Sequence, residues 1–136
     1  MSGKRIIVHS LAHARAVLAA AHALKVPVTL ASAAGAGGYA GPLWFKSLVE
    51  TARADFPEVE LTAVLDCGGE AGTVLAALRH GIKCVRFTGN QAALVSLRDI
   101  AQGLGAEIET GTAPALDLLS EPDPEAAARA YLAAAP

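Results

Sequence analysis

Little in this chain points to a charged or membranous partner. Its 136 residues carry 11 Lys and Arg against 13 Asp and Glu, a net charge of −2, with no basic block to track a phosphate backbone or an anionic lipid surface. Neither nucleic acid nor a membrane is therefore expected as a partner. No apolar run approaches the length of a bilayer-crossing helix, and the first residues lead directly into a strand pattern, so a cytoplasmic protein is expected. Only two cysteines are present, Cys67 and Cys84, too few for a disulfide framework or a zinc cluster of their own. Aromatic residues make up 4% of the chain, which leaves a core built from Ala, Val, Leu and Ile. No CxxC motif or Ser-His-Asp order suggests a thiol or serine mechanism.

What is present is alternation. Short β-branched runs at 5–8, 27–32, 61–65, 83–88 and 106–110 are each followed by a helical pattern. Ser10 is placed to cap the first helix and Pro42 to open the second. Gly81 and Gly105 are placed to close the third and fourth, and Asp123-Pro124 to start the last. Residues 112–121 receive no assignment, and 33–41 read as a glycine-rich loop. Five βα units in one domain, 1–136, imply an α/β fold with a five-stranded parallel sheet and flanking helices. A three-layer flavodoxin-like order, 2-1-3-4-5, is favoured because it covers both sheet faces within one chain. The alternative is half of a (β/α)8 barrel in the order 1-2-3-4-5, which leaves one face for a partner. The positive mean hydropathy of so small a chain likewise favours a homo-oligomer or a partner protein.

In either arrangement the C-terminal strand ends gather on one edge, where α/β folds bind ligands. That edge receives His9, Ser32, Asp66, Cys67, Thr88, Asn90, Glu109 and Thr110. Gly35, Gly37 and Gly38 in the loop after the second strand allow backbone amides to approach a phosphate. The loop also satisfies Gly-x-Gly-x-x-Ala, yet follows the second strand and lacks an acidic residue at the ribose-binding distance, so dinucleotide binding is disfavoured. His13 and His22 are expected on the surface of the first helix, and His80 at a helix C-terminus.

Four segments, in order, resemble the class II fructose- or tagatose-bisphosphate aldolases. They are Ser32, Gly35, Tyr39, Ala40 and Gly41 in a Ser-x-x-Gly-x-x-x-Tyr-Ala-Gly frame, Leu65-Asp66-Cys67-Gly68 against Leu-Asp-His-Gly, Glu107, Glu109 and Gly111 against Glu-x-Glu-x-Gly, and Asp123-Pro124-Glu125-Ala126-Ala127 against Asp-Pro-Glu-x-Ala. The resemblance covers the family's N-terminal five βα units, so the chain is expected to be a truncated, degenerate relative. It implies Asp66 as the acid/base residue and Cys67, where the family has a metal-binding His, as a ligand to a divalent metal such as zinc, with His9 nearby. Ser32, Gly35, Gly37, Gly38, Asn90 and Glu109 are the expected ligand-binding residues. The functional expectation is a domain that binds a small phosphorylated or hydroxylated metabolite without ordinary aldolase activity. The alternatives are a structural or protein-interaction module, or a metal-dependent lyase or isomerase completed by oligomerisation.

Overall fold

The computed structural model describes residues 3–135. The elements are β1 (Lys4–Ile7), α1 (Leu11–Leu24), β2 (Val28–Ala31), α2 (Ala36–Tyr39), α3 (Pro42–Asp55), β3 (Leu61–Asp66), α4 (Ala71–Arg79), β4 (Cys84–Arg86), α5 (Gln91–Gly103), β5 (Glu107–Glu109), β6 (Ala115–Asp117) and α6 (Pro124–Ala133). The α/β class and the parallel sheet with flanking helices are as expected. The strand order is β5-β4-β3-β2-β1-β6, which corrects the favoured 2-1-3-4-5 order. β1 has β2 on one side and β6 on the other, pairing Ile6 with Leu30 and Leu116, so no place beside it remains for β3. The neighbours β1 to β5 follow the alternative order, with a sixth strand added from a segment left unassigned.

The chain packs as two compact units, residues 1–31, 47–62 and 113–136, and residues 32–46 and 63–112. In the first, α1 lies against α6. Alanines at Ala14, Ala20, Ala21 and Ala128, all fully buried, let the two helices approach closely. Val17, Leu18, Ile6, Leu30 and Leu118 fill the core with no solvent exposure, each worth roughly 1.5–3 kcal/mol of burial. Ser10 caps α1 as expected, its Oγ accepting from His13 N at 3.1 Å. Lys25 closes the same helix in the left-handed region at φ 56°, a conformation usually left to glycine. Asp123 caps α6 through Ala126 N, with Pro124 in the first turn. Lys4 Nζ donates to Tyr131 O at 2.8 Å and to Ala134 O at 2.5 Å, and so satisfies carbonyls at the end of α6.

In the second unit β4 lies between β3 and β5, pairing Leu65 with Val85 and Val85 with Ile108. Phe45, Leu65, Val74, Val85 and Phe87 are buried to 1% exposure or less, and α4 packs on α5. Gly81 follows α4 at φ 83°, as its C-capping role requires, while Lys46 Nζ donates to the His80 carbonyl at 2.9 Å. The expected glycine loop is partly helical. α2 takes up Ala36–Tyr39, with Gly35 as its left-handed N-cap at φ 71°. Among the described residues no helix is long and apolar enough to cross a membrane.

Candidate functional site

The second unit draws several of the expected site residues into one hydrogen-bonded hub around Asp66. This residue ends β3, where the strand turns sharply through Gly68 at φ 58°. Its Oδ1 accepts from Gly35 N at 2.9 Å and from Gly68 N at 2.8 Å. Its Oδ2 is 3.3 Å from Arg86 Nε, and the two side chains are only 14% and 17% exposed. Ser32 Oγ accepts from Asp66 N at 2.9 Å and donates to Ala33 O at 3.1 Å, fixing the start of the glycine segment to the end of β3. The Asp66 carboxylate therefore fills the concavity of backbone amides that a bound anion would otherwise fill.

Arg86 is a functional candidate that the sequence reading missed. It lies in an apolar run, 20 residues from its partner, and only the β3–β4 register, Asp66↔Arg86, brings the two together. The same register row continues to Glu109 on β5. This gives carboxylate, guanidinium and carboxylate positions at the C-terminal ends of three adjacent strands. Ion pairs between partly buried groups gain from reduced screening by solvent.

The remaining candidates make local packing and capping contacts. A Cβ on Gly37 would lie 3.0 Å from Thr73 Cγ2, 3.1 Å from Asp66 O and 3.2 Å from Cys67 Sγ, so this glycine lets α2 close onto the end of β3. Gly38 has more room, 3.9 Å to Thr73 Oγ1. Asn90 caps α5, its Oδ1 accepting from Ala93 N at 2.8 Å. Thr88 N donates to Gly68 O at 2.8 Å.

Cys67 and His9, the expected metal ligands, belong to different compact units. Cys67 is 1% exposed and its Sγ lies 3.8 Å from Leu65 O. Burial, reinforced by the negative charge of Asp66, pushes its thiol up to about 12, so the thiolate that binds zinc is disfavoured at neutral pH. His9 belongs to the first unit, where its Nε2 is 2.6 Å from Asp117 Oδ1. Among the described residues no group of three His, Cys, Asp or Glu side chains is placed to hold a metal ion. The donor set does not fit a catalytic metal, which needs about three protein ligands and an open position.

His13 is intermediate in exposure and receives the His9 backbone N–H on its Nδ1 at 3.0 Å. His22 is exposed and packs its ring on Phe56, 5.6 Å between centroids. The open grooves of this unit, of about 470 and 460 Å3, lie at the N-terminal ends of β2 and β1, away from His9.

A parallel sheet with flanking helices defines the class, an α/β fold. Comparison with known proteins narrows the class. Over 83 residues the chain is 31% identical to fructose-bisphosphate aldolase 1 of Cereibacter sphaeroides and 29% identical to fructose-bisphosphate aldolase of Xanthobacter flavus, covering 61% of this chain and 23% of each relative. It thus spans less than a quarter of the length of the curated relatives it matches. No family model matches the chain. Among solved structures, a protein described as a fructose-1,6-biphosphate aldolase from Coccidioides immitis superimposes with a TM-score of 0.67 at 18% identity, over 80% of this chain and 40% of that one. A protein described as a tagatose 6 phosphate kinase from Sinorhizobium meliloti 1021 gives 0.63 at 16% identity, over 97% and 45%. At these identities the structures speak to fold alone. These similarities agree with the resemblance read from the motifs: over 61% of its length the chain is similar to fructose-bisphosphate aldolases.

Proposed function

We propose that the second unit binds a small phosphorylated or hydroxylated metabolite at the C-terminal ends of β3, β4 and β5 and does not run the aldolase reaction. The observation that carries this reading is the engagement of Asp66. A proton carrier needs a carboxylate oxygen directed at the reacting atom, whereas both oxygens of Asp66 face donors of the protein itself. Among the described residues, the metal that would polarise a carbonyl lacks its ligand set. What remains at the strand ends is a fixed array of polar groups on rigid elements, with Arg86 in its middle, suited to recognition.

The test is thermal unfolding with inorganic phosphate, fructose 1,6-bisphosphate and glycerol 3-phosphate, run beside an aldol-cleavage assay with and without added zinc. A ligand that binds only the folded protein adds about 2.7 kcal/mol at a hundredfold excess over its Kd, so a rise in Tm is expected, lost in Arg86→Met, with no cleavage. Metal-dependent cleavage, or an unchanged Tm with all three compounds, overturns the reading.

A second reading is favoured by one observation. Tyr39 and Leu43, four residues apart beside the glycine segment, are 73% and 60% exposed. An interaction module would use this apolar pair, and Tyr39→Ser with Leu43→Ser would then shift the native mass from oligomer to monomer without lowering Tm.

A further inference from the structure

The cluster of His9, His13 and Asp117 in the first unit has no part in the site above. Ile7 and Asp117 are register partners on the adjacent parallel strands β1 and β6, which sets His9 just past the C-terminal end of β1 and beside Asp117. Asp117 Oδ1 accepts from Leu119 N at 2.9 Å as well as facing His9 Nε2 at 2.6 Å, so its carboxylate is held in one orientation. A carboxylate at that distance requires the imidazole proton on Nε2. The His9 side chain is 21% exposed.

His13 completes the arrangement. Its Nδ1 accepts the His9 backbone N–H, and its ring meets that of His9 edge-on, 5.8 Å between centroids at 87°. An Nδ1 that accepts a hydrogen bond carries no proton, so His13 is the neutral Nε2–H tautomer. Burial first, and the neighbouring His9 second, lower its pKa and outweigh the opposing pull of Asp117. The groups that face His9 are Asp117 from β6 and His13 from α1.

We propose that His9 and Asp117 form an oriented hydrogen-bond-accepting dyad, with Nε2–H given to Asp117 and Nδ1 presented to a hydroxyl group of a small polyol. The hydroxyl donates a hydrogen bond to Nδ1. The same division of labour between an imidazole and an orienting carboxylate recurs on unrelated folds.

Long-range 1H–15N spectra of the labelled protein, recorded where the imidazoles are neutral, test the proposal. The expected result is a single His9 tautomer with Nδ1 unprotonated, converted to a mixture by Asp117→Ala and kept by the conservative Asp117→Asn. Titration with glycerol shifts the His9 Nδ1 resonance, whereas dimethoxyethane, which accepts hydrogen bonds but donates none, leaves it in place. Arg86→Met and Gly37→Val, in the other unit, leave that shift intact and so separate this site from the metabolite site proposed above. An Nδ1–H tautomer, a tautomer indifferent to Asp117→Ala, or equal responses to glycerol and dimethoxyethane overturns the proposal.

Discussion

Replacing Asp66 by Ala removes one acceptor from three donors at once. Gly35 N and Gly68 N lose partners at 2.9 and 2.8 Å, and Arg86 loses its counter-charge at 3.3 Å while its side chain is only 17% exposed. A buried donor left without a partner costs about 1–3 kcal/mol, and an uncompensated cation in a partly buried position costs more than an exposed one. Some water will reach this site, so the low end applies to each amide. The expected loss is about 3 kcal/mol in total, a large part of the stability of a small domain. Urea unfolding reads this as a lower midpoint at unchanged slope. Amide exchange at Gly35 and Gly68 quickens at the same time. The double variant with Arg86→Met recovers part of the loss, because the orphaned charge is gone, and a coupling of about 1 kcal/mol is expected from the cycle. A loss under about 0.5 kcal/mol with unchanged exchange at both glycines would refute the view of Asp66 as the structural centre of this hub.

Four further outcomes follow from the same structure. A Cβ at Gly89 would lie 2.2 Å from Phe87 Cζ and 3.0 Å from Gly69 O, and Phe87 is 1% exposed and cannot swing aside, so Gly89→Ala should cost about 1–3 kcal/mol by calorimetry. Cys67 has a folded pKa raised from 9.0 to about 12. Its contribution is thus complete below pH 9 and is lost as pH rises towards 12, at about 1.4 kcal/mol per pH unit. Cys67→Ala lacks that slope, and the native thiol resists iodoacetamide at neutral pH. His13 has its pKa lowered from 6.5, by burial and then by His9, so its contribution is present above pH 6.5 and is lost as pH falls below it. Asp117 is lowered from 3.8, because the Leu119 amide and the two histidines outweigh the burial that opposes them. A second decline follows as pH falls through its lowered value, and Asp117→Asn abolishes that decline in an acid titration followed by circular dichroism.

The parts of this molecule encoded locally could be read before any coordinates. Ser10, Pro42, Gly81 and Asp123-Pro124 act at helix ends through neighbours within four residues, and each is where the sequence placed it. The parts written in long-range pairing could not. Ala115-Leu116-Asp117 is too short to announce a strand, and becomes β6 only by pairing with Arg5, Ile6 and Ile7. Asp117 was hidden in the same unassigned segment. Arg86 read as one more residue of a buried strand, since nothing local marks it as the partner of Asp66. α2 was hidden by its own glycines, which lower helix propensity but admit the close approach of Gly37 to Cys67. Asp66 was singled out from the sequence, but its hydrogen bonds to Gly35 and Gly68 across the turn were not legible there.

The pairing of β1 with β6 also bears on how the chain is made. Arg5 meets Ala115, so one edge of the first strand waits for residues synthesised 115 − 5 = 110 positions later. At about 5–20 residues per second that wait is roughly 5–20 s on the ribosome. Residues 63–112 can meanwhile collapse as one continuous stretch. Among the described strands β1 is made well before its second neighbour, and its uncovered edge is a place where a nascent chain of this protein is open to chaperones or to mispairing with another copy.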